Sequence, residues 1–458
     1  MKYKAIIPLL SLTVFFTILS SFTTHYKIHF KSKTMNEENA LTMKTLLDNS
    51  YYLKGRKELY LYVNLNAIKA PVKTERKPLN ISVVLDRSGS MSGDKIKYAK
   101  EACKFVVDNL EPNDNFSIVI YDNMVEVLFK SGNVKDKAAL KRLIDGVHER
   151  ASTNLSGGML EGYAQVKSTY NKNNVNRVLI LSDGLANRGI TDEKILQQLV
   201  KQKLSEDNIT LSAFGVGADF NEVLMTNLAE YGSGNYYFIN SPDKIPSIFA
   251  QELKGLISVV AQNTHLNIKF PSQNLSVNKI FGINGEVKNN EISFDLKDIF
   301  SEEQKAILIK FNINQPIQEE ILFESILSFD DAFTFKRSTI TEKNVLKVTT
   351  DQHEFDNSFN KEVLQNIVLF ENNERLEHAM LEVDKGDYEG AKKIIINIKT
   401  EMTVQMRQLP DNKELKRQLE AVSEYEKQVE NAKNMSTEDR LMMQKANRSV
   451  NYSIRKKK

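Results

Sequence analysis

Between Pro78 and Ser258, short apolar runs alternate with stretches whose apolar residues recur every three or four positions, and the two periods predict strands and helices in turn. The run "LNISVVLD" is followed by a helix from Asp94 to Leu110, then by the strands "NFSIVIYD" and "MVEVLFK". Helices are predicted from Lys135 to Val147, Gly158 to Tyr170, Asp192 to Ser205 and Asn221 to Tyr231, with a last one from Ser241. The strands "NRVLILSDG", "ITLSAFGVG" and "GNYYFI" lie between them. Unbroken β-branched runs such as "VLIL" suit strands covered on both faces, and interposed helices suit right-handed crossovers. The expectation for 78–258 is a doubly wound, mostly parallel α/β sheet.

On either side the period changes. "KELYLYVNLNAI" precedes the block, and "THLNIKF", "NEISFDL", "AILIKFNI" and "NVLKVTT" follow it, with the alternation of one-sided antiparallel strands. Strand-like sequence on both flanks predicts an α/β block inserted into a β-sandwich built from 50–77 and 259–350. Two separate β units are the competing layout. From 357 to 458 the chain turns helical, broken at "DKGDYEG" and "QLPDN", and a helical cap on the sandwich is expected. Ser436-Thr437-Glu438-Asp439 reads as the start of the last helix.

Composition narrows the classes. Among 458 residues, 41% are hydrophobic and 26% charged, a folded rather than a disordered balance. A net charge of +3 without a basic stripe interleaved with aromatics argues against nucleic acid. Residues 1–23 carry Lys2 and Lys4 ahead of an apolar run and then small or polar residues, the grammar of a signal peptide or, if uncleaved, a membrane anchor. Export to the periplasm or an anchored place in the cell envelope is the expectation, with membrane contact only through that segment. Cys103 is the single cysteine, so no internal disulfide can form, and its helical spacing with Ile96, Ala99, Val106 and Leu110 puts it in a core. The six His residues are scattered and offer no zinc motif.

The unusual residues gather where strands end, the position at which open α/β sheets bind ligands. Asp86, Ser88 and Ser90 follow the first strand in "LDRSGSMSG", Thr153 lies in the loop "ASTNLSGG", and Asp183 ends "VLILSDG". Carboxylates and hydroxyls converging there suit a hard divalent cation, Mg²⁺ first, with Mn²⁺ or Ca²⁺ as alternatives. Two carboxylates balance the charge, and neutral hydroxyls leave the ion electrophilic enough to take an incoming carboxylate. Asp94 at a helix start is explained by the helix dipole without a second cation, and Asn154 braces the loop of Thr153.

With these residues in place, the block resembles a von Willebrand factor A domain with an intact metal-ion-dependent adhesion site. The resemblance implies ligation by Ser88, Ser90 and Thr153, with Asp86 and Asp183 acting through waters, and an Asp or Glu of a partner protein in the open position. Ala151 stands where many relatives have Gly. The flanking β segments are similar to those of bacterial exported members of the family and of inter-α-trypsin-inhibitor heavy chains. Enzymatic readings are weaker. A haloacid-dehalogenase-like nucleophile needs a second Asp where Ser88 stands, the elbow GxSxG fails at Met91, and no GxxxxGK[ST] loop occurs. The expectation is a non-enzymatic, metal-dependent protein-binding module. The alternatives are a structural envelope subunit whose metal only stiffens loops and, as a minor one, a metal-dependent hydrolase.

Overall fold

The described chain, residues 39–70, 76–150, 152–408 and 412–456 of a computed structural model, opens with β1 (Leu41–Leu47), β2 (Tyr51–Leu53) and β3 (Glu58–Ala67). The α/β block follows as β4 (Leu79–Asp86), α1 (Asp94–Asn109), β5 (Asn115–Tyr121), β6 (Val125–Gly132), α2 (Lys137–Asp145), α3 (Leu155–Ser168) and β7 (Val175–Ser182). It ends with α4 (Glu193–Asp207), β8 (Thr210–Val216), α5 (Glu222–Tyr231), β9 (Ser233–Ile239) and α6 (Ile245–Leu256). Seven strands come next: β10 (Val259–Lys269), β11 (Leu275–Phe281), β12 (Glu286–Lys288), β13 (Glu291–Phe300), β14 (Gln304–Ile313), β15 (Ile321–Asp331) and β16 (Arg337–Thr349). Helices α7 (Gln352–Asn357), α8 (Lys361–Asp384), α9 (Tyr388–Gln408), α10 (Lys413–Asn431) and α11 (Thr437–Arg455) complete the chain. The predicted N-terminal signal or anchor, 1–23, and Ala151 lie outside the described residues.

Every residue of β4, β7 and β8 is buried, because helices cover both faces of their sheet. The sheet order is β6-β5-β4-β7-β8-β9, all neighbours parallel except the hairpin β5–β6. On one face α1, α2 and α6 bury Ile96, Val106, Leu140, Ile144 and Phe249; Cys103 lies in this core. On the other α3, α4 and α5 bury Leu155, Met159, Leu196 and Leu224. This is a doubly wound α/β sheet with an antiparallel edge.

The flanking strands form two further sheets, β1-β3-β14-β11 and β12-β13-β10-β15-β16-β2. Strands from before and after the α/β block share both: β14 pairs antiparallel with β3, Leu308 opposite Tyr62, and β16 pairs with β2. One core joins the sheets, with Leu61, Val63, Ile307 and Phe311 from the first meeting Leu266, Ile268, Phe294 and Phe323 from the second. The N-terminal β segment, expected from residue 50, begins earlier, at Leu41. Its β1 buries Leu41, Met43, Thr45 and Leu47 on one side, and a polar Thr among them hid the alternation. Strand β15 is also additional to the predicted set: its buried positions include Ser325 and Asp331, so polarity and burial do not coincide along it.

Helix α8 lies on the outer face of the four-stranded sheet, with Val363 and Phe370 packed among Tyr62, Phe281 and Leu308. Helix α11 instead reaches the α/β block. Tyr452 joins the core of that block edge-on to Tyr236, with ring centroids 5.7 Å apart, and the Lys445 ammonium donates to the Phe220 carbonyl at 2.6 Å. The helical region thus caps the sandwich and also clamps the α/β block. Ser436 starts α11 by accepting the Asp439 N–H. No helix among the described residues is long and apolar enough to cross a membrane.

Candidate metal centre

In chain order the sheet of the α/β block reads 3-2-1-4-5-6, so connections leave β4 in opposite directions and the crevice opens between the ends of β4 and β7. Asp86 is the last residue of β4, and Asp183 directly follows β7. Both are fully buried. Asp86 Oδ1 accepts the Ser88 N–H at 2.8 Å, and its Oδ2 accepts the Ser182 hydroxyl at 2.7 Å and the Tyr121 hydroxyl at 3.4 Å. Burial pushes the Asp86 carboxyl up to about 6; the hydrogen bonds from Ser182 and Ser88 oppose the rise and the Asp183 charge adds to it.

Ser88 precedes a single 3₁₀ turn, Gly89–Met91, whose Met91 is buried and anchors the loop in the core. Ser88 Oγ and Ser90 Oγ stand 3.1 Å apart, and the Ser90 hydroxyl donates to Asp183 Oδ1 at 2.7 Å. The other Asp183 oxygen, Oδ2, accepts from the Lys95 ammonium at 2.5 Å. Gly93 turns the chain into α1 at φ 73°, a left-handed conformation that L side chains adopt only with strain.

Thr153 is buried and held by the loop after β7. Its N–H donates to Asn187 Oδ1 at 3.0 Å, and its carbonyl accepts from the Asn187 and Arg188 N–H groups, both at 3.2 Å. Asn154 caps α3, accepting the Gly157 N–H at 3.0 Å. A Cβ on Gly158 would come within 2.6 Å of the Tyr121 ring, so glycine lets α3 approach β5 closely enough to bring Thr153 over the strand tips. A Cβ on Gly184 would stand 3.5 Å from both Ser90 Oγ and Thr153 Oγ1, which puts these hydroxyls around one point. The five residues singled out in the sequence therefore share one crevice. Asp94 is 71% exposed in the first turn of α1, 3.9 Å from Lys97, away from the cluster.

Sequence reasoning missed the residues that hold this cluster. Ser182, Tyr121 and Lys95 secure the two carboxylates. Arg87, buried, donates to Asp122 Oδ2 at 2.7 Å, its carbonyl accepts the Arg150 N–H at 2.7 Å, and the Asp122 carbonyl accepts the Asn154 N–H at 2.7 Å. That ion pair ties the Asp86–Ser90 loop to the Thr153 loop. An Arg amid "LDRSGS" carried no period or spacing that could have revealed it.

Neighbouring oxygens around an octahedral Mg²⁺ at ~2.0–2.1 Å lie about 2.9 Å apart. The Ser88–Ser90 separation, 3.1 Å, is close to that edge, and Asp183, bonded to Ser90 at 2.7 Å, lies directly behind it, so the residues fit such an ion. Among the described residues no three His, Cys, Asp or Glu side chains gather to hold a metal, which makes the hydroxyls essential to any cation at this place. Ser88, Ser90 and Thr153 would hold it, with Asp86 and Asp183 balancing its charge. Bound there, a divalent cation supplies a Lewis-acidic position open to a carboxylate.

Residues 80–251 match the family model of the von Willebrand factor type A domain. The chain is 32% identical over 201 residues to the Escherichia coli (strain K12) protein YfbK, covering 43% of this chain and 35% of that one. It is 30% identical over 173 residues to the mouse (Mus musculus) inter-alpha-trypsin inhibitor heavy chain H2, covering 36% of this chain and 18% of the relative. The matches thus span about a third or less of these relatives' lengths. A solved von Willebrand factor type A structure from Catenulispora acidiphila superposes with TM-score 0.65 at 16% identity, over 81% of this chain and 90% of that one, so the shared fold extends beyond the α/β block. Residues 80–251, which surround the crevice, thus have the sequence pattern and the fold of a von Willebrand factor type A domain.

Proposed function

We propose that this chain is a non-enzymatic module of the cell envelope that binds an acidic side chain of another protein through a divalent cation, Mg²⁺ first, held by Asp86, Ser88, Ser90, Thr153 and Asp183. The observation that carries the reading is the cluster itself: the Ser88 and Ser90 hydroxyls 3.1 Å apart, Ser90 exposed at the mouth, backed by two carboxylates with no exposure to solvent. Hydroxyl ligands donate little charge, so the loaded site keeps an affinity for an anionic oxygen. Domains of this family commonly serve protein–protein interaction, and an inter-alpha-trypsin inhibitor heavy chain is among the relatives. The envelope part of this reading rests on residues 1–23, whose sequence reads as a signal peptide or anchor.

A purely stiffening role for the metal has less to do. The loops are already tied to one another by Arg87–Asp122, Asn187–Thr153 and Lys95–Asp183. Capture of partners from a solubilised envelope is expected to vanish on chelation and in Asp86→Ala, with the thermal midpoint of the metal-free protein not lowered by more than a few degrees. Capture that persists in excess chelator overturns the proposal, and unfolding on chelation would favour the stiffening role.

A further inference from the structure

Two carboxylates and one ammonium meet in the crevice. Asp183 divides its oxygens, Oδ1 toward the Ser90 hydroxyl and Oδ2 toward Lys95 at 2.5 Å. Asp183 is fully buried and Lys95 is 24% exposed, so this pair is sheltered from bulk water. Lys95 sits on the first turn of α1, directly behind the serine loop, and its ammonium lies 3.7 Å from the place of a Cβ on Gly217, where β8 ends. That is ordinary van der Waals distance, so the ammonium packs beside the end of β8 while bonded to Asp183. The neighbouring guanidinium, Arg87, is paired with buried Asp122 at 2.7 Å and with Glu126, 54% exposed, at 3.2 Å, so it brings no net positive charge to the crevice.

We propose that Lys95 is a positioning and specificity-determining residue, a fixed internal cation that cancels one carboxylate so that the metal-loaded site is left with a net positive charge and selects an anionic ligand. This rests on the metal reading above. With Lys95 in place the metal-free cage carries one net negative charge; a divalent cation turns it into one net positive charge, and a single incoming carboxylate brings it to neutrality. Without the ammonium the loaded site would already be neutral, and a carboxylate would have to bind at the cost of its own dehydration with no net attraction. The same ammonium repels the metal itself. Lys95 therefore weakens cation binding and strengthens ligand binding, opposite signs that separate this role from a merely structural one.

Lys95→Met keeps an unbranched side chain one atom shorter and removes its charge, and Lys95→Arg keeps the charge. Mg²⁺ and Mn²⁺ are titrated calorimetrically into the full chain. Acetate is then titrated against the Mn²⁺-loaded protein, reading the loss of water-proton relaxivity as acetate displaces bound water. Lys95→Met is expected to lower the metal-free thermal midpoint, to bind Mg²⁺ about tenfold tighter, and to need at least about threefold more acetate. Lys95→Arg is expected to stay within about twofold of the wild type in both titrations. Metal affinity that is unchanged or weaker in Lys95→Met overturns the inference while the metal reading stands; unaltered acetate affinity does the same. A wild-type protein that binds neither cation removes the metal reading and this inference together.

Discussion

The two ends of the central sheet both bury charge, and they do so differently. At the base, Arg177 and Glu252 are each 1% exposed and 2.9 Å apart. Glu252 Oε1 also accepts from Ser212 at 2.6 Å, and its Oε2 accepts from Asn235 at 2.7 Å and Tyr237 at 2.8 Å. Arg177 adds Thr210 at 2.8 Å and reaches toward Asp298 of β13 at 3.6 Å, joining the α/β block to the sandwich. That end is closed, with directed donors on both carboxylate oxygens. At the tips Asp86 and Asp183 are as deeply buried, yet their partners are hydroxyls and a half-sheltered lysine, and Ser90 stands exposed at the mouth. A buried carboxylate met by a rigid guanidinium is a joint; one met by rotatable hydroxyls has partners that can re-aim, as the proposed cation requires.

The comparison breaks most visibly at Arg177. Arg177→Met leaves the Glu252 charge without its counter-ion and is expected to cost ~3–5 kcal/mol in urea denaturation, while Mg²⁺ affinity measured at a permissive temperature changes less than about twofold. A loss of metal affinity in step with stability would show that the ends are one unit. Glu222 tests the clamp made by α11. Burial pushes its carboxyl up to about 7, against the opposing charges of Arg448 and Lys445. The folded chain therefore holds a proton that the unfolded chain releases near its ordinary value, and stability is expected to fall by roughly 3 kcal/mol as pH rises from about 4.5 through 7 and to level off above. Glu222→Gln should flatten that slope in denaturation series across pH. Gly158→Ala drives a methyl into the Tyr121 ring and should cost ~1–3 kcal/mol, lifting Thr153 and weakening Mg²⁺ binding in calorimetry. Ser436→Ala, which removes the cap of α11, should cost ~1 kcal/mol with metal binding untouched.

Local patterns in the chain determined the alternation of the α/β block, the buried place of Cys103, the helical C-terminal region and the five residues proposed for the cage, which the fold brings to one crevice. Those features depend on neighbours in sequence: period, strand-end position, and carboxylate and hydroxyl spacing within "LDRSGSMSG". Only the tertiary structure decided what meets across the fold. Lys95 finds Asp183, Ser182 finds Asp86 and Arg177 finds Glu252 from 75 to 96 positions apart, β1 and β15 hide polar residues in a core, and α11 closes on Phe220 from 225 positions away. Such pairs leave no periodic trace, because a charge or hydroxyl is stable in the interior whenever some partner arrives and the sequence does not record which one. The chemistry of the site was thus written locally, while its electrostatic balance was set by crossovers and packing.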